Sequence, residues 1–146
     1  MTDGADRQAF EQAVEHHRAG RLQAAERLYR QVPPSAAHHA DALHLLGVAA
    51  LQDARHDEAL ELIGHAIRAA PGKAAYRLSL GQVHAAAGRL DEAVAAYRQA
   101  IVLAPRLADA WFGLGVALQA ANRQQEAIDV YRHLLTLGQR KGDGRI

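Results

Sequence analysis

The sequence predicts an all-α fold, an α-solenoid of four tandem helical hairpins with eight helices in total. Residue types recur every 34 positions along most of the chain. Within each repeat, apolar residues twice follow the three-and-four spacing of one helix face. The composition, with 49% apolar residues, 5% aromatic residues and no cysteine, is typical of helical arrays packed through small and aliphatic side chains.

The 34-residue period is clearest at three positions of the repeat. A small residue lies early in each first helix, at Ala13, Gly47, Gly81 and Gly115. A second small residue opens each second helix, at Ala25, Ala59, Ala93 and Ala127. A bulky residue follows four positions later, at Tyr29, Ile63, Tyr97 and Tyr131. Small residues suit positions where two helices cross closely, because a larger side chain would force the axes apart.

Turn and stop residues divide each repeat into two helices. The turn inside each hairpin falls at Gly20, Ala54, Gly88 and Asn122. Glycine and asparagine accept the left-handed backbone that closes a helix, and Ala54 is the least suited of the four. Pro71 and Pro105 end the second helices of the middle repeats, since proline cannot donate the next helical hydrogen bond. Helices are expected at residues 6–19, 22–31, 36–52, 57–69, 74–86, 91–103, 108–120 and 124–137.

The ends of the array are predicted to be less regular. The second helix of the first repeat must stop early, because Pro33 and Pro34 follow it, and Ser35 is expected to cap the next helix. Residues 1–5 are expected to be disordered, as is the polar tail 139–146. The predicted domain spans residues 6–138, with repeats at about 6–39, 40–73, 74–107 and 108–138.

These positions resemble the tetratricopeptide repeat (TPR) family over roughly residues 6–138. The stretches at residues 46–51 and 114–118 are typical of it, and Trp111 lies where the family often has tryptophan. The resemblance implies a right-handed superhelix whose first helices line a concave groove. It also implies binding of a protein or peptide, without cofactor or catalysis.

The groove positions form a face of the first helices beside the core stripe, and they are more apolar than a solvated face. The candidate binding residues are Phe10, Val14, His44, Val48, Leu51, Leu78, Gln82, Phe112, Val116 and Gln119. This apolar stripe indicates either a groove for an apolar or amphipathic segment or ordinary core buried by superhelical curvature.

Two groove chemistries known in the family are missing from this sequence. The inner positions lack the Lys, Asn and Arg of a carboxylate clamp and the asparagine ladder of O-GlcNAc transferase arrays. Residues 38–81 nevertheless resemble, more weakly, the TPR arrays that precede bacterial O-GlcNAc-transferase-like glycosyltransferases.

The last helix is predicted to expose apolar side chains where a further repeat or a polar capping helix would pack. These residues are Tyr131, Leu134, Leu135 and Leu137. The sequence therefore predicts that this end is covered by self-association, by a partner or by a further segment.

Composition and motifs argue against other functions. Seventeen basic and sixteen acidic residues leave a net charge of +1, which gives no field for nucleic acid or a membrane surface. No catalytic or phosphate-binding motif occurs, and the paired histidines lack the spacing of a zinc site. We expect a cytoplasmic, non-enzymatic chain without metal or cofactor.

Three functions remain open at this point. The first is a scaffold or adaptor that binds a peptide or protein segment. The second is a cytoplasmic secretion-type chaperone, and the third is the regulatory or substrate-recruiting array of a larger enzyme such as a glycosyltransferase.

Overall fold

The structure is a computed structural model that describes the backbone of residues 3–143 and the side chains of residues 4–138. Over residues 3–143 it contains eight α-helices and no strand: α1 Asp3–Arg18, α2 Leu22–Arg30, α3 His39–Gln52, α4 His56–Ala69, α5 Ala74–Ala86, α6 Leu90–Leu103, α7 Ala108–Ala120 and α8 Gln124–Asp143. The predicted all-α repeat fold is confirmed. The bounds of α5 and α7 match the prediction at both ends.

The outer helices are longer than predicted. Helix α1 begins at Asp3, inside the segment expected to be disordered, and residues 1–2 lie outside the described residues. Helix α8 continues to Asp143, six residues beyond the predicted end at Leu137. The added segment starts at Gly138 and continues with Gln139, Arg140 and Lys141, three good helix formers, and basic residues favour a helix C-terminus. The expected disorder of residues 144–146 lies outside the described residues.

Helix α3 begins at His39 and not at Ala36. The preceding residues form turns, in which the Ala36 amide donates to the Pro33 carbonyl and the His39 amide to the Ala36 carbonyl. The residue before α3 is His38, and no side-chain hydrogen bond caps this helix. The predicted capping role of Ser35 is therefore wrong, because the consecutive prolines set a tight turn that delays the helix.

The chain divides into two compact units, Met1–Pro71 and Gly72–Ile146. The first unit contains the hairpins α1–α2 and α3–α4, and its core includes Ala13, Ala25, Tyr29, Val32, Ala42 and Leu46. The second contains the hairpins α5–α6 and α7–α8, with Ala93, Val94, Tyr97, Leu114, Ala117, Leu118 and Ala127 in its core. The superhelix of the whole array stays a prediction.

The turn and crossing residues behave as the sequence predicts. All four turn residues have positive φ angles, +80° at Gly20, +58° at Ala54, +78° at Gly88 and +63° at Asn122. At the crossings, a Cβ atom on Gly47 would lie 2.6 Å from Ile63 Cγ1, and one on Gly115 would lie 2.5 Å from Tyr131 Cε1. A side chain at either glycine would therefore have to displace the residue opposite it.

Candidate functional site

In the second unit, one tyrosine fills the space between two first helices. A Cβ atom on Gly81 of α5 would lie 2.6 Å from Tyr97 Cε1, and one on Gly113 of α7 would lie at the same distance from that atom. The Tyr97 ring is therefore in contact with both glycines, and its burial raises the pKa of its hydroxyl. The ring fixes the separation of α5 and α7.

A cleft of about 500 Å³ lies beside this tyrosine. It is lined by Gln82, Ala85, Leu90, Tyr97, Asp109, Phe112, Gly113, Val116, Ala117 and Ala120. Phe112 is 56% exposed and Val116 is 45% exposed. The cleft thus presents two large apolar side chains to solvent on a frame of packed helices.

Helical spacing explains why these side chains share the cleft. Asp109, Phe112 and Val116 are three and four residues apart, which places them on one face of α7. Gln82 and Ala85 are three residues apart on α5 and line the opposite side. Asp109 is the only charged residue among the described lining residues, so the cleft is apolar with one acidic edge.

The structure brings together only some of the predicted groove residues of this unit. Gln82, Phe112 and Val116 line the cleft. Leu78 instead is half-buried and packs against the core. Gln119 lies exposed beyond the cleft, where its side-chain oxygen accepts a hydrogen bond from the Tyr131 hydroxyl at 3.1 Å.

In the first unit, the predicted groove residues of α1 mainly cover the core. Phe10 and Val14 are half-buried and pack against the core cluster. The Phe10 ring stacks on the His38 ring, with centroids 4.9 Å apart and planes 8° from parallel. The shallow cleft beside Phe10 and Val14 is otherwise lined by polar residues.

The predicted residues of α3 are half-buried as well. His44, Val48 and Leu51 belong to this set. Burial lowers the pKa of His44 to about 4, although the nearby Asp41 carboxylate acts in the opposite direction. His44 is therefore neutral at physiological pH.

Sequence reasoning missed a hydrogen-bonded histidine in the first unit. The two ring nitrogens of His17 lie 3.1 Å from the Tyr29 hydroxyl and 2.8 Å from Gln52 Oε1. Burial raises the pKa of Tyr29 to about 12. His17 thereby joins α1 to α2 and α3, and no sequence motif signals this role.

The predicted apolar residues of α8 have different environments. Leu135 is 67% exposed, whereas Tyr131 and Leu134 are half-buried. Leu137 is only 9% exposed, so the prediction that it is exposed is wrong. It lies seven residues, two helical turns, after Val130, which packs against the core. Ile128, which is 43% exposed, was missed, although it precedes Leu135 by two helical turns.

Within the part of the chain that the structure describes, no three His, Asp or Glu side chains are grouped so that they could hold a metal ion. None of the described helices is long and apolar enough to cross a membrane.

Models of protein families match both units. A model described as tetratricopeptide repeat matches residues 10–74 and another matches residues 110–145. A third, described as TPR repeat, matches residues 81–122. The three matches together cover most of the chain.

Several solved structures are similar to this chain. A crystal structure of MamA has a TM-score of 0.86 at 20% identity and covers 94% of this chain and 81% of its own. The Sgt2 TPR domain from Aspergillus fumigatus has a TM-score of 0.66 at 24% identity, over 68% of this chain and 66% of its own. At these identities the likeness shows the fold alone. No curated protein sequence matches the chain.

A third structure is more similar in sequence. It is a mutant of the Thermobaculum terrenum O-GlcNAc transferase, with a TM-score of 0.75 and 32% identity. The match covers 81% of this chain but 23% of the transferase. The weaker resemblance that the sequence showed, to the TPR arrays of O-GlcNAc-transferase-like glycosyltransferases, is therefore confirmed. It concerns only 23% of the transferase chain.

Proposed function

We propose, from the premise that this chain belongs to the tetratricopeptide repeat family, that it is a protein-interaction scaffold. Its second unit would bind a peptide or protein segment in the cleft between α5 and α7. The observation that carries this proposal is the exposure of Phe112 and Val116 in that cleft, 56% and 45%. Repeat proteins use such preformed surfaces for binding.

The packing around Tyr97 supports binding without rearrangement. Gly81 and Gly113 hold α5 and α7 against its ring, so the two sides of the cleft are already in place. A preformed site avoids the entropic cost of ordering loops when the partner binds. Burial of Phe112 against an apolar side chain of the partner would then favour association.

The charge of the cleft limits the partner's chemistry. Its described lining contains one carboxylate, Asp109, and no basic side chain. An acidic segment would meet a like charge there and leave its own carboxylates unpaired. We therefore expect a segment with a bulky apolar residue flanked by lysine or arginine.

The proposal gives the chain no catalytic role and no nucleic-acid or membrane partner. The sequence has only two serines. Ser35 lies in the turn before α3, and Ser79 is buried within α5. The net charge of +1 gives no general attraction to polyanions.

A second candidate is favoured by one comparison. The match to the Thermobaculum terrenum O-GlcNAc transferase, at 32% identity, makes a substrate-recruiting array of a larger enzyme the alternative role. In that case the same cleft would bind the enzyme's protein substrate. Both candidates require the cleft to bind a peptide segment, so one experiment tests their common step.

The experiment selects ligands from a phage-displayed library of random 15-residue peptides, using the full chain as bait. We expect enrichment of peptides that combine a bulky apolar residue with lysine or arginine. One selected peptide, labelled with fluorescein, is then titrated with the wild type and with Phe112→Asp, and its anisotropy is measured. The substitution should weaken binding by about 10-fold to 100-fold, as expected when a central apolar anchor is lost.

The matched control is Val102→Asp, which places the same charge on α6 at a side chain that is 80% exposed and outside the cleft. This variant should bind the peptide as the wild type does. Equal loss in both variants, or enrichment of acidic peptides, would contradict the proposal. Circular dichroism checks that both variants remain helical.

A further inference from the structure

Helices α6 and α8 occupy the same place in the repeat, but only one of them is covered. Val94 and Tyr97 of α6 are 3% and 4% exposed. They belong to a cluster with Leu114, Ala117 and Leu118 of the following helix, α7. In α6, the face that carries Val94 and Tyr97 therefore packs against the following helix.

The equivalent face of α8 is open. Ile128, at the position of Val94, is 43% exposed, and Leu135, at the position of Ile101, is 67% exposed. Arg98 of α6 and Arg132 of α8, which also occupy equivalent positions, differ in whether they form an ion pair. Arg98 of α6 forms an ion pair with Glu126 of α8 at 3.5 Å. Arg132 is exposed and has no ion pair among the side chains that the structure describes.

The N-terminal end of a second copy does not fit this face. In the array, α6 is covered by α7 through positions such as Gly113, Leu114 and Ala117. Three repeats earlier, α1 has Glu11, Gln12 and Glu15 at these positions, and all three are exposed. Head-to-tail stacking would bury these polar side chains against Ile128 and Leu135, which is unfavourable.

We propose instead that α8 pairs with α8 of a second copy of this chain. The two helices run antiparallel, related by a two-fold axis that crosses them at the height of Val130 and Tyr131 along α8. An isologous contact needs a surface that complements itself. On α8, Ile128 and Leu135 lie on one face with Arg132 between them, and Asp129 lies on its edge.

The antiparallel arrangement satisfies both the apolar and the charged residues. With the axis at this level, Ile128 of one copy lies beside Leu135 of the second copy. The two side chains are offset by two residues along the helix, which is about 3 Å at the rise per residue of an α-helix. Asp129 of one copy comes level with Arg132 of the other, twice by symmetry. The contact therefore buries the exposed apolar pair and supplies the ion pair that Arg132 lacks.

The test is sedimentation velocity of the full chain across the micromolar range, without any ligand. We expect a dimer. Leu135→Asp should shift the chain to monomer, because it places a charge against the apolar side chain of Ile128 in the second copy. Val102→Asp on α6, whose side chain is 80% exposed, is the matched control and should leave the dimer intact.

A charge reversal tests the two-fold geometry. Asp129→Arg alone and Arg132→Asp alone each place like charges opposite one another and should raise the dissociation constant by about tenfold or more. The double variant restores opposite charges and should recover most of the affinity. Circular dichroism verifies that all variants remain helical.

Three outcomes would overturn the proposal. They are a wild type that stays monomeric at every concentration, species that grow beyond a dimer, and a double reversal that dimerises no better than the single variants. Since no peptide is present, these outcomes are independent of the cleft. Failure of peptide binding would leave the dimer unaffected, and the reverse also holds.

Discussion

Two helical glycines of this protein lie in opposite surroundings. A Cβ atom on Gly81 would lie 2.6 Å from Tyr97 Cε1 and 3.0 Å from its Cγ, close to the rigid base of the ring. At Gly64 the nearest atom would be Arg68 Nη1, at 3.7 Å, the end of a flexible side chain. The same substitution should therefore have opposite effects at the two positions.

We predict that Gly81→Ala lowers the free energy of unfolding by about 1–3 kcal/mol, because an added methyl group overpacks the crossing. Gly64→Ala should raise it by about 0.5–1 kcal/mol, because alanine is the better helix former and finds open space. Urea denaturation followed by circular dichroism measures both. A stabilising Gly81→Ala would show that α5 can move away from Tyr97 without cost.

Equivalent residues of different repeats show why burial could not be predicted from the sequence. Phe10 and Phe112 are three repeat lengths apart, and both were expected in the groove. Phe10 is half-buried and stacks on His38, whereas Phe112 is 56% exposed. The difference depends on which helix lies alongside, since the histidine comes from the irregular segment before α3. Periodicity specifies the face of a residue and not its neighbours.

At the scale of elements, the prediction succeeded where local signals are strong. Helices α5 and α7 follow directly after Pro-containing turns and end near a residue of positive φ, so both of their bounds were predictable. The start of α3 and the end of α8 were missed. At α3, the turns after Pro33 and Pro34 prevailed over the helical pattern of residues 36–38. At α8, glycine at position 138 did not end the helix, because glycine is tolerated within helices.

The position of His44 on α3 predicts a loss of stability in acid. Burial lowers its folded-state pKa to about 4 from an ordinary value near 6.5. Between these two values the unfolded chain binds a proton that the folded chain does not, so stability falls as the pH decreases through this interval. Well above pH 6.5 the imidazole is neutral in both states, and the full stability is retained.

The expected size of this effect is on the order of 2–3 kcal/mol between pH 7 and pH 4. It is measured as the difference in unfolding free energy between wild type and His44→Gln at a series of pH values. Gln does not titrate, so the difference between the two proteins should vary with pH only in this interval. A difference that stays constant from pH 7 to pH 4 would refute the assignment.

For the whole molecule, the two units should differ in their response to acid. Burial lowers the pKa of His44, in the first unit, to about 4, and it lowers the pKa of His84, in the second unit, by a smaller amount. Each unit has its own core, formed around Tyr29 in the first and around Tyr97 in the second. Acid should therefore weaken the first unit more than the second, since the larger lowering of a histidine pKa, that of His44, belongs to the first unit.

The single tryptophan makes this difference measurable. Trp111 lies in α7 of the second unit, where its indole nitrogen donates a hydrogen bond to the Pro105 carbonyl at 2.8 Å. Its fluorescence reports the second unit, whereas far-UV circular dichroism reports the helices of both. At about pH 5, where histidine titrates, urea should unfold the chain with a lower midpoint by circular dichroism than by fluorescence. The difference between the two midpoints should become smaller at pH 7.5, and also in the His44→Gln variant. Coincident midpoints at both pH values would mean that the repeats unfold as one cooperative body and that protonation of His44 weakens both units equally.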